Sequence, residues 1–422
     1  MLLHSASQLL TLTGGPQRGE ALGNLAIIPD GAVLIENERI QAVGTTSELR
    51  GAYPDEGYFD CSGKVVMPGL VDPHTHAIWV GDRAAEFEMR LEGKTYLEIL
   101  DEGGGILSSV RAVRAASLEQ MIVETRPRLQ SMFAHGTTTA EVKTGYGLQT
   151  ETELRMLGAL IVLDEQEEID IVPTFLGAHA IPQEYYGRSG EYTNLVRVNM
   201  LPELKEWWRE NAAERALPFV DVFCETGAFN LEESRSILQK AKELGFPIKI
   251  HTDEFDSLGG TAMAAQLGAV SADHLVATTP EDIEALCRSD TAAVALPCTP
   301  FGLSEYHYTP AKEILKAGGL LAIATDLNPG TAWCESMQFA MALACRYMGL
   351  TPAQAIAAST INAAAAIDRS DQIGSIEPGK QADLLVLSMQ DYRHLGYRFG
   401  INLVGNVIKK GRIYPQRSNL LT

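Results

Sequence analysis

A chain of 422 residues has room for two or three domains of ordinary size, or for one large barrel with an accessory piece. Its 45% hydrophobic and 21% charged residues are globular usage, which excludes a disordered or fibrous chain. Lys and Arg number 34 against 54 Asp and Glu, a formal charge of −20 that repels phosphate backbones and anionic lipid, so no nucleic-acid or membrane partner is expected and an anionic substrate needs local positive charge. Six scattered cysteines without a CxxC point to a reducing, cytoplasmic compartment. The opening MLLHSASQLLTLTGG lacks a basic leader, and no apolar run reaches the length of a membrane span.

The first sixty or so residues read as short β segments separated by turns (SQLLTLT, NLAIIPD, GAVLIENERIQAVG, YFDCSGKVVMPG). From about Pro68 apolar runs alternate with helical stretches such as LEESRSILQKAKELG. Eight runs can be counted: VVMPGLVDPH (65–74), GTTTAEVK (136–143), DIVPTFLGAH (170–179), FVDVFC (219–224), FPIKIH (246–251), AVSADH (269–274), TAAVAL (291–296) and LLAIATD (320–326). Eight βα repeats predict an α/β fold, a (β/α)8 TIM-like barrel rather than an open doubly wound sheet. Helical segments follow, and the tail (GSIEPGKQADLLVL, GINLVGNVIKKGRIY) is β-like again. The two chain ends are therefore expected to form one small β-sandwich domain, with residues 1–67 and 373–422 flanking a barrel over 68–372.

Active sites of such barrels lie at the C-terminal ends of the strands. The chain has nine histidines, yet His74, His76, His179, His251 and His274 all close predicted strands, and Asp326 closes the eighth run. Imidazole nitrogen and carboxylate oxygen suit zinc or iron. His74 and His76 stand two apart on an extended segment, so both side chains face one way and can grip one ion. Each residue also has a plainer reading. His179 and His274 can be satisfied core histidines, Arg83 a solvated cation at a helix start, Glu254 a turn acid and Tyr96 a packing aromatic. Gly93-Lys94-Thr95 lacks the earlier glycine of a phosphate loop, and the triple glycine 103–105 lacks dinucleotide-binding spacing.

PGLVDPHTH (68–76), the strand-end His251 and His274, the ATD of 324–326 and IGSIEPGKQADLLVL (373–387) together resemble the metal-dependent amidohydrolase superfamily. GDRAAEFEMRLEGKTYLEIL, EVKTGYGLQTETELRML, PTFLGAHAIPQEY, HTDEFDSLGGTAMAAQLGAVSADHL and ATDLNPGT narrow the resemblance to its imidazolonepropionase family, over nearly the whole chain. The resemblance implies hydrolysis of 4-imidazolone-5-propanoate to N-formimidoyl-L-glutamate in histidine degradation, by attack of a metal-bound hydroxide on the cyclic amide. It implies one ion per chain, Zn²⁺ or Fe, on His74, His76, His251 and Asp326. It makes Arg83, Tyr146, His179 and Glu254 substrate contacts, with Asn328, Gly330 and Thr331 nearby, and it implies a homodimer.

Chemically, Glu254 suits proton transfer to the departing ring nitrogen, Asp326 can share that task, and His274 can stabilise the oxyanion or orient water. Arg83, with hydroxyls from Tyr96 and Tyr146, suits the propionate, and the glycines at 103–105 suit a closing lid. Lys143 closes the second run and receives no ligand role. Two other readings stay open: a mononuclear amidohydrolase of another kind, such as a heterocyclic-base deaminase, and a non-catalytic barrel serving as a scaffold.

Overall fold

The structure, a computed structural model, describes residues 1–94, 98 and 104–416. The N-terminal segment supplies β1 (Leu2–Ala6), β2 (Gln8–Leu10), β3 (Ile27–Ile28), β4 (Gly31–Glu36), β5 (Arg39–Thr45), β6 (Tyr58–Asp60) and β7 (Val65–Pro68). Eight strands follow: β8 (Leu70–Asp72), β9 (Thr137–Lys143), β10 (Asp170–Ala178), β11 (Phe219–Cys224), β12 (Lys249–Thr252), β13 (Ser271–His274), β14 (Ala292–Ala295) and β15 (Leu321–Ile323). The tail adds β16 (Leu384–Leu387), β17 (Val404–Lys409) and β18 (Arg412–Pro415).

β8 to β15 form one parallel sheet in chain order. Their residues are buried along nearly the whole run, as β9 shows at every position, because helices cover the outer face and side chains fill the inner one. Contacts just past the first and last strands close the barrel. Thr75 bridges to Leu327 in parallel sense, His76 N–H donates to Leu327 O at 2.8 Å and Asp326 N–H to His74 O at 3.1 Å. Asp72, buried in β8, accepts from the Thr325 amide at 3.1 Å and from its hydroxyl. The surrounding helices carry ordinary start signals. Asn230 and Glu233 form a reciprocal capping box at the helix Leu231–Glu243, which buries Ile237, Leu238 and Ala241.

The chain ends build two further sheets, ordered β5-β4-β1-β6 and β18-β17-β16-β7-β2-β3. Leu3, Val33 and Ile35 of the first share a core with Leu9, Val66, Leu384, Val386 and Ile408 of the second, which makes the pair a sandwich. β16 pairs antiparallel with β7, so the tail does return onto the N-terminal strands.

One expected element divides. The run at 65–74 is two strands, β7 in the sandwich and β8 in the barrel, broken at Gly69. A side chain at Gly69 would lie 2.2 Å from the Thr138 hydroxyl, and its N–H is taken by Asp383 O at 2.9 Å, so the chain crosses between layers where only glycine fits. Among the described residues no helix is long and apolar enough to cross a membrane, and the six cysteines are free thiols.

Candidate active site

Register carries the strand-end chemistry to one rim. Phe223 of β11 is level with His251 of β12, and Thr252 of β12 with His274 of β13. His74 and His76 leave β8 on the segment that closes the barrel, beside Asp326. There His251 Nε2 lies 3.2 Å from His76 Nε2, and Asp326 Oδ1 lies 3.5 Å from both His74 Nε2 and His76 Nε2. His74 packs edge-on against His251 with ring centroids 4.4 Å apart. His74 with His76 and Asp326, and His74 with His251 and His274, each bring their ligand atoms within 4.8 Å of one another. Backbone strain accompanies this placement: Asp326 sits at φ +54° and His274 at +82°, the left-handed region that non-glycine residues avoid.

The donor set fits a metal ion. Spacings of 3.2 and 3.5 Å between ligand atoms match the edges of a tetrahedron with bonds of about 2.1 Å. Buried His74 Nε2 has no hydrogen-bond partner although it faces the cluster. Burial, ahead of repulsion from neighbouring cations, holds His74, His76 and His274 well below the ordinary histidine range, which leaves their rings neutral and free to donate a lone pair.

The outer nitrogens are held by carboxylates from inside the barrel. His74 Nδ1 lies 2.6 Å from Asp273 Oδ2 and His251 Nδ1 lies 2.9 Å from Asp221 Oδ2, an arrangement that fixes tautomer and ring orientation. Lys143 ties the acids together, donating to Glu141 Oε1 at 2.7 Å and Asp221 Oδ2 at 2.8 Å, with Asp273 at 3.7 Å. Burial alone would lower this ammonium, but Asp221, Glu141 and Asp273 outweigh it and hold it above the ordinary lysine range. Thr299 donates its hydroxyl to Asp326 Oδ2, which leaves Oδ1 toward the histidines. Of these supporting residues only Lys143 drew attention in the sequence. The available signal was a charged residue inside an apolar strand, as in FVDVFC and SADH, where the inner face is a barrel core.

On one side of the cluster His179 stacks on His76 with centroids 4.8 Å apart, and its Nδ1 lies 3.0 Å from Gly145 O. Tyr146 packs edge-on to His179 at 5.4 Å and is almost fully buried, which raises its hydroxyl above the ordinary tyrosine value. Gly145 is required there: it has φ +108°, and a Cβ would lie 2.9 Å from His179 Nδ1. Arg83 is paired with Glu86, Nη2 to Oε2 at 2.7 Å, and passes so close to Gly330 that a Cβ there would lie 2.3 Å from Nη1. Asn328 spends its side chain on its own loop, accepting from the Gly330 and Thr331 amides at 2.8 Å each and donating to Thr331 Oγ1 at 2.9 Å. It shapes the loop rather than offering a free donor. Arg90 joins the same loop through Gly330 O at 2.9 Å. Tyr96 and Gly103 lie outside the described residues.

On the other side Glu254 Oε2 lies 3.7 Å from His274 Nε2. Burial, reinforced by Asp326 and Glu225, pushes the Glu254 carboxyl well above the usual carboxylate range. Burial also raises Asp326, to about 6. Both residues therefore retain protons at higher pH than ordinary carboxylates do. A cavity of about 390 Å³ opens onto this side, lined by Glu254, His274, Thr299, Leu303, His307 and Tyr308.

A barrel with a histidine and aspartate cage at its strand ends defines a class of hydrolases, and the amidohydrolase family profile matches residues 65–414. A second profile, the bacterial imidazolonepropionase-like composite domain, matches residues 31–55. The chain is 49% identical to the imidazolonepropionase of Herpetosiphon aurantiacus, covering 98% of this chain and 96% of that one. It is 48% identical to the imidazolonepropionase of Chloroflexus aggregans, covering 98% of each. The chain belongs to the imidazolonepropionase family of amidohydrolases. Among solved structures, 5-methylcytosine deaminase from Klebsiella pneumoniae superposes with a TM-score of 0.73 at 15% identity, covering 100% of this chain and 99% of that one. Guanine deaminase of E. coli gives 0.69 at 17%, covering 99% of each. These two share the fold.

Proposed function

We infer that this chain hydrolyses the cyclic amide of 4-imidazolone-5-propanoate to N-formimidoyl-L-glutamate, a step of histidine degradation. The observation that carries the reading is the adjacency of two unlike half-sites: the cage of His74, His76, His251 and Asp326, and the group of Arg83, Tyr146 and His179 beside it. The full-length identity to imidazolonepropionases supports it.

The cage residues would hold one ion, Zn²⁺ or Fe, which supplies a Lewis acid and lowers the pKa of water toward about 7. Arg83 receives the propionate through the guanidinium donors that Glu86 leaves free, with the buried Tyr146 hydroxyl and His179 orienting the ring, so that the scissile amide faces Glu254 and His274. Glu254 takes the proton of the attacking water and passes it to the departing ring nitrogen; a carboxyl with a raised pKa is suited to that delivery. His274, kept neutral by burial, hydrogen-bonds the oxygen on which negative charge develops, or orients the water. Asp326 shares the proton transfer. Asn328, Gly330 and Thr331 form the loop on which Arg83 rests. The enzyme works in the cytoplasm as a homodimer, and its acidic surface keeps it from nucleic acid.

The test is to supply 4-imidazolone-5-propanoate to the purified protein and assay N-formimidoyl-L-glutamate, with His76→Ala as control. Product from the native chain and none from the variant is expected. Equal turnover by the variant would overturn the ligand assignment, and ammonia release from heterocyclic amines in place of ring opening would make the chain a deaminase.

A further inference from the structure

Glu225, the residue immediately after β11, is 2% exposed and belongs to none of the half-sites above. The chain turns back sharply around it: Ala228 N–H donates to Glu225 O at 3.0 Å, and Glu225 N–H to Phe229 O at 3.1 Å. This turn fixes the root of its side chain at the barrel rim, and the carboxylate reaches across to the neighbouring loop after β12. There Oε2 accepts from Phe255 N–H at 3.0 Å, and Oε1 accepts from Asp256 N–H at 3.2 Å and from Thr226 N–H at 2.8 Å. The two amides that follow Glu254 thus end on one buried carboxylate.

The residue before Glu254 is anchored separately. Asp253, at φ +54°, accepts from the Thr252 hydroxyl at 2.9 Å and the Thr261 hydroxyl at 2.7 Å, and its carbonyl takes Ala277 N–H at 2.7 Å. Beyond Glu254 the loop is exposed at Phe255, at 57%, and is held further on by Ser257 Oγ to Asp282 Oδ2 at 3.3 Å and by Leu258, which packs on the core. Glu254 is therefore suspended between an inner anchor at Asp253 and an outer one at Glu225. Its own carboxyl, 3.7 Å from His274 Nε2, is placed by where those anchors hold the backbone.

We propose that Glu225 is a positioning residue of the reaction, which acts by clamping the amides of Phe255 and Asp256 so that the Glu254 carboxyl stays within reach of the scissile bond. The proposal rests on the proton-transfer role given to Glu254 above. A negative side chain that collects several N–H donors makes strong, charge-assisted bonds, and a displacement of about 1 Å at a proton-transfer group can cost on the order of 100-fold in rate.

The experiment is a double-mutant cycle on the metal-loaded full chain with 4-imidazolone-5-propanoate, using Glu225→Ala, Glu225→Gln, Glu254→Gln and the doubles, with kcat, KM, metal content and thermal unfolding recorded for each. Glu225→Ala is expected to lower kcat by roughly 10- to 100-fold with KM within about threefold. Glu225→Gln, which keeps one acceptor oxygen, is expected to fall between alanine and the native residue. On the Glu254→Gln background, loss of Glu225 should cost less than about twofold more, because the group it places is already gone. Equal losses on both backgrounds, a kcat for Glu225→Ala within about twofold of native, or a loss that tracks metal content would overturn the clamp. Should the alanine variant not fold, the glutamine cycle decides by the same criteria. Absence of native turnover would overturn the functional reading and the clamp together, whereas native turnover with an additive cycle overturns the clamp alone.

Discussion

The five strand-end histidines differ in what stands behind them. His74 and His251 each have a carboxylate on the ring nitrogen that faces away from the cage, and both acids lie near the buried ammonium of Lys143. Replacing Asp273 with Asn keeps the volume but removes the charge that orients His74. Metal affinity, read by competition with a chromogenic chelator, is expected to fall by roughly 10- to 100-fold, with thermal stability of the metal-free chain changing much less. Lys143→Met should behave the other way. It leaves Glu141, Asp221 and Asp273 crowded in the barrel without their cation, so unfolding free energy in denaturant should drop by about 3–5 kcal/mol. The histidines were legible in the sequence because imidazole at the end of an apolar run is unusual. Asp221 and Asp273 were marked only as charged residues within apolar runs, and their role was not legible because strand register alone tells which face of a barrel strand points inward. Thr299 was illegible for a different reason: its partner Asp326 lies on another strand end, and one hydroxyl among many carries no signal of that contact.

Elements were legible where one physical rule governed them. The parallel strands read as continuous apolar runs, and the helix at Leu231–Glu243 was marked by its LEESRSILQKAKE pattern. The break at Gly69 escaped because a fully buried apolar run does not reveal which of two layers it joins. The loop after β15 shows how an element's shape serves the site, since Asn328 folds it so that Gly330 passes under Arg83. Gly330→Ala would push a methyl group against the guanidinium. KM for the imidazolone should rise by about tenfold or more, the value of a hydrogen bond to a charged group, with a smaller change in kcat. Thr45→Ala supplies the contrast: it removes the reciprocal cap of the helix Thr46–Ala52 in the sandwich, away from the barrel rim, and should cost about 1 kcal/mol in denaturant unfolding with kcat unchanged.

At the scale of the molecule, the question is what makes sandwich and barrel one body. Both chain ends return to a single sheet, as the β-like tail predicted, but the join itself is a buried charge cluster that no local pattern announces. Lys409, on β17 and 2% exposed, donates to Asp383 Oδ2 and Asp170 Oδ2 at 2.7 Å each, and to Thr138 O at 2.8 Å. Asp170 and Thr138 belong to the barrel and Asp383 lies just before β16, so one ammonium bonds to both layers. Burial by itself would raise the Asp170 carboxyl, yet Lys409 and Lys410 outweigh it and hold the group below the ordinary aspartate value. A carboxyl depressed in the folded state contributes stability that is present above its unfolded pKa of about 3.9 and is lost as pH falls through the folded one. Lys409→Met should therefore cost about 3–5 kcal/mol of unfolding free energy at pH 7, because it strands two acids at a buried joint. The gap between native and variant should be widest near pH 7 and narrow as pH falls, first as the stranded acids of the variant take up protons and last as Asp170 of the native chain does. Equilibrium unfolding in urea between pH 3 and 7 measures this. A gap that stays constant across the series would mean that Lys409 joins the layers by packing its stem rather than by its charge.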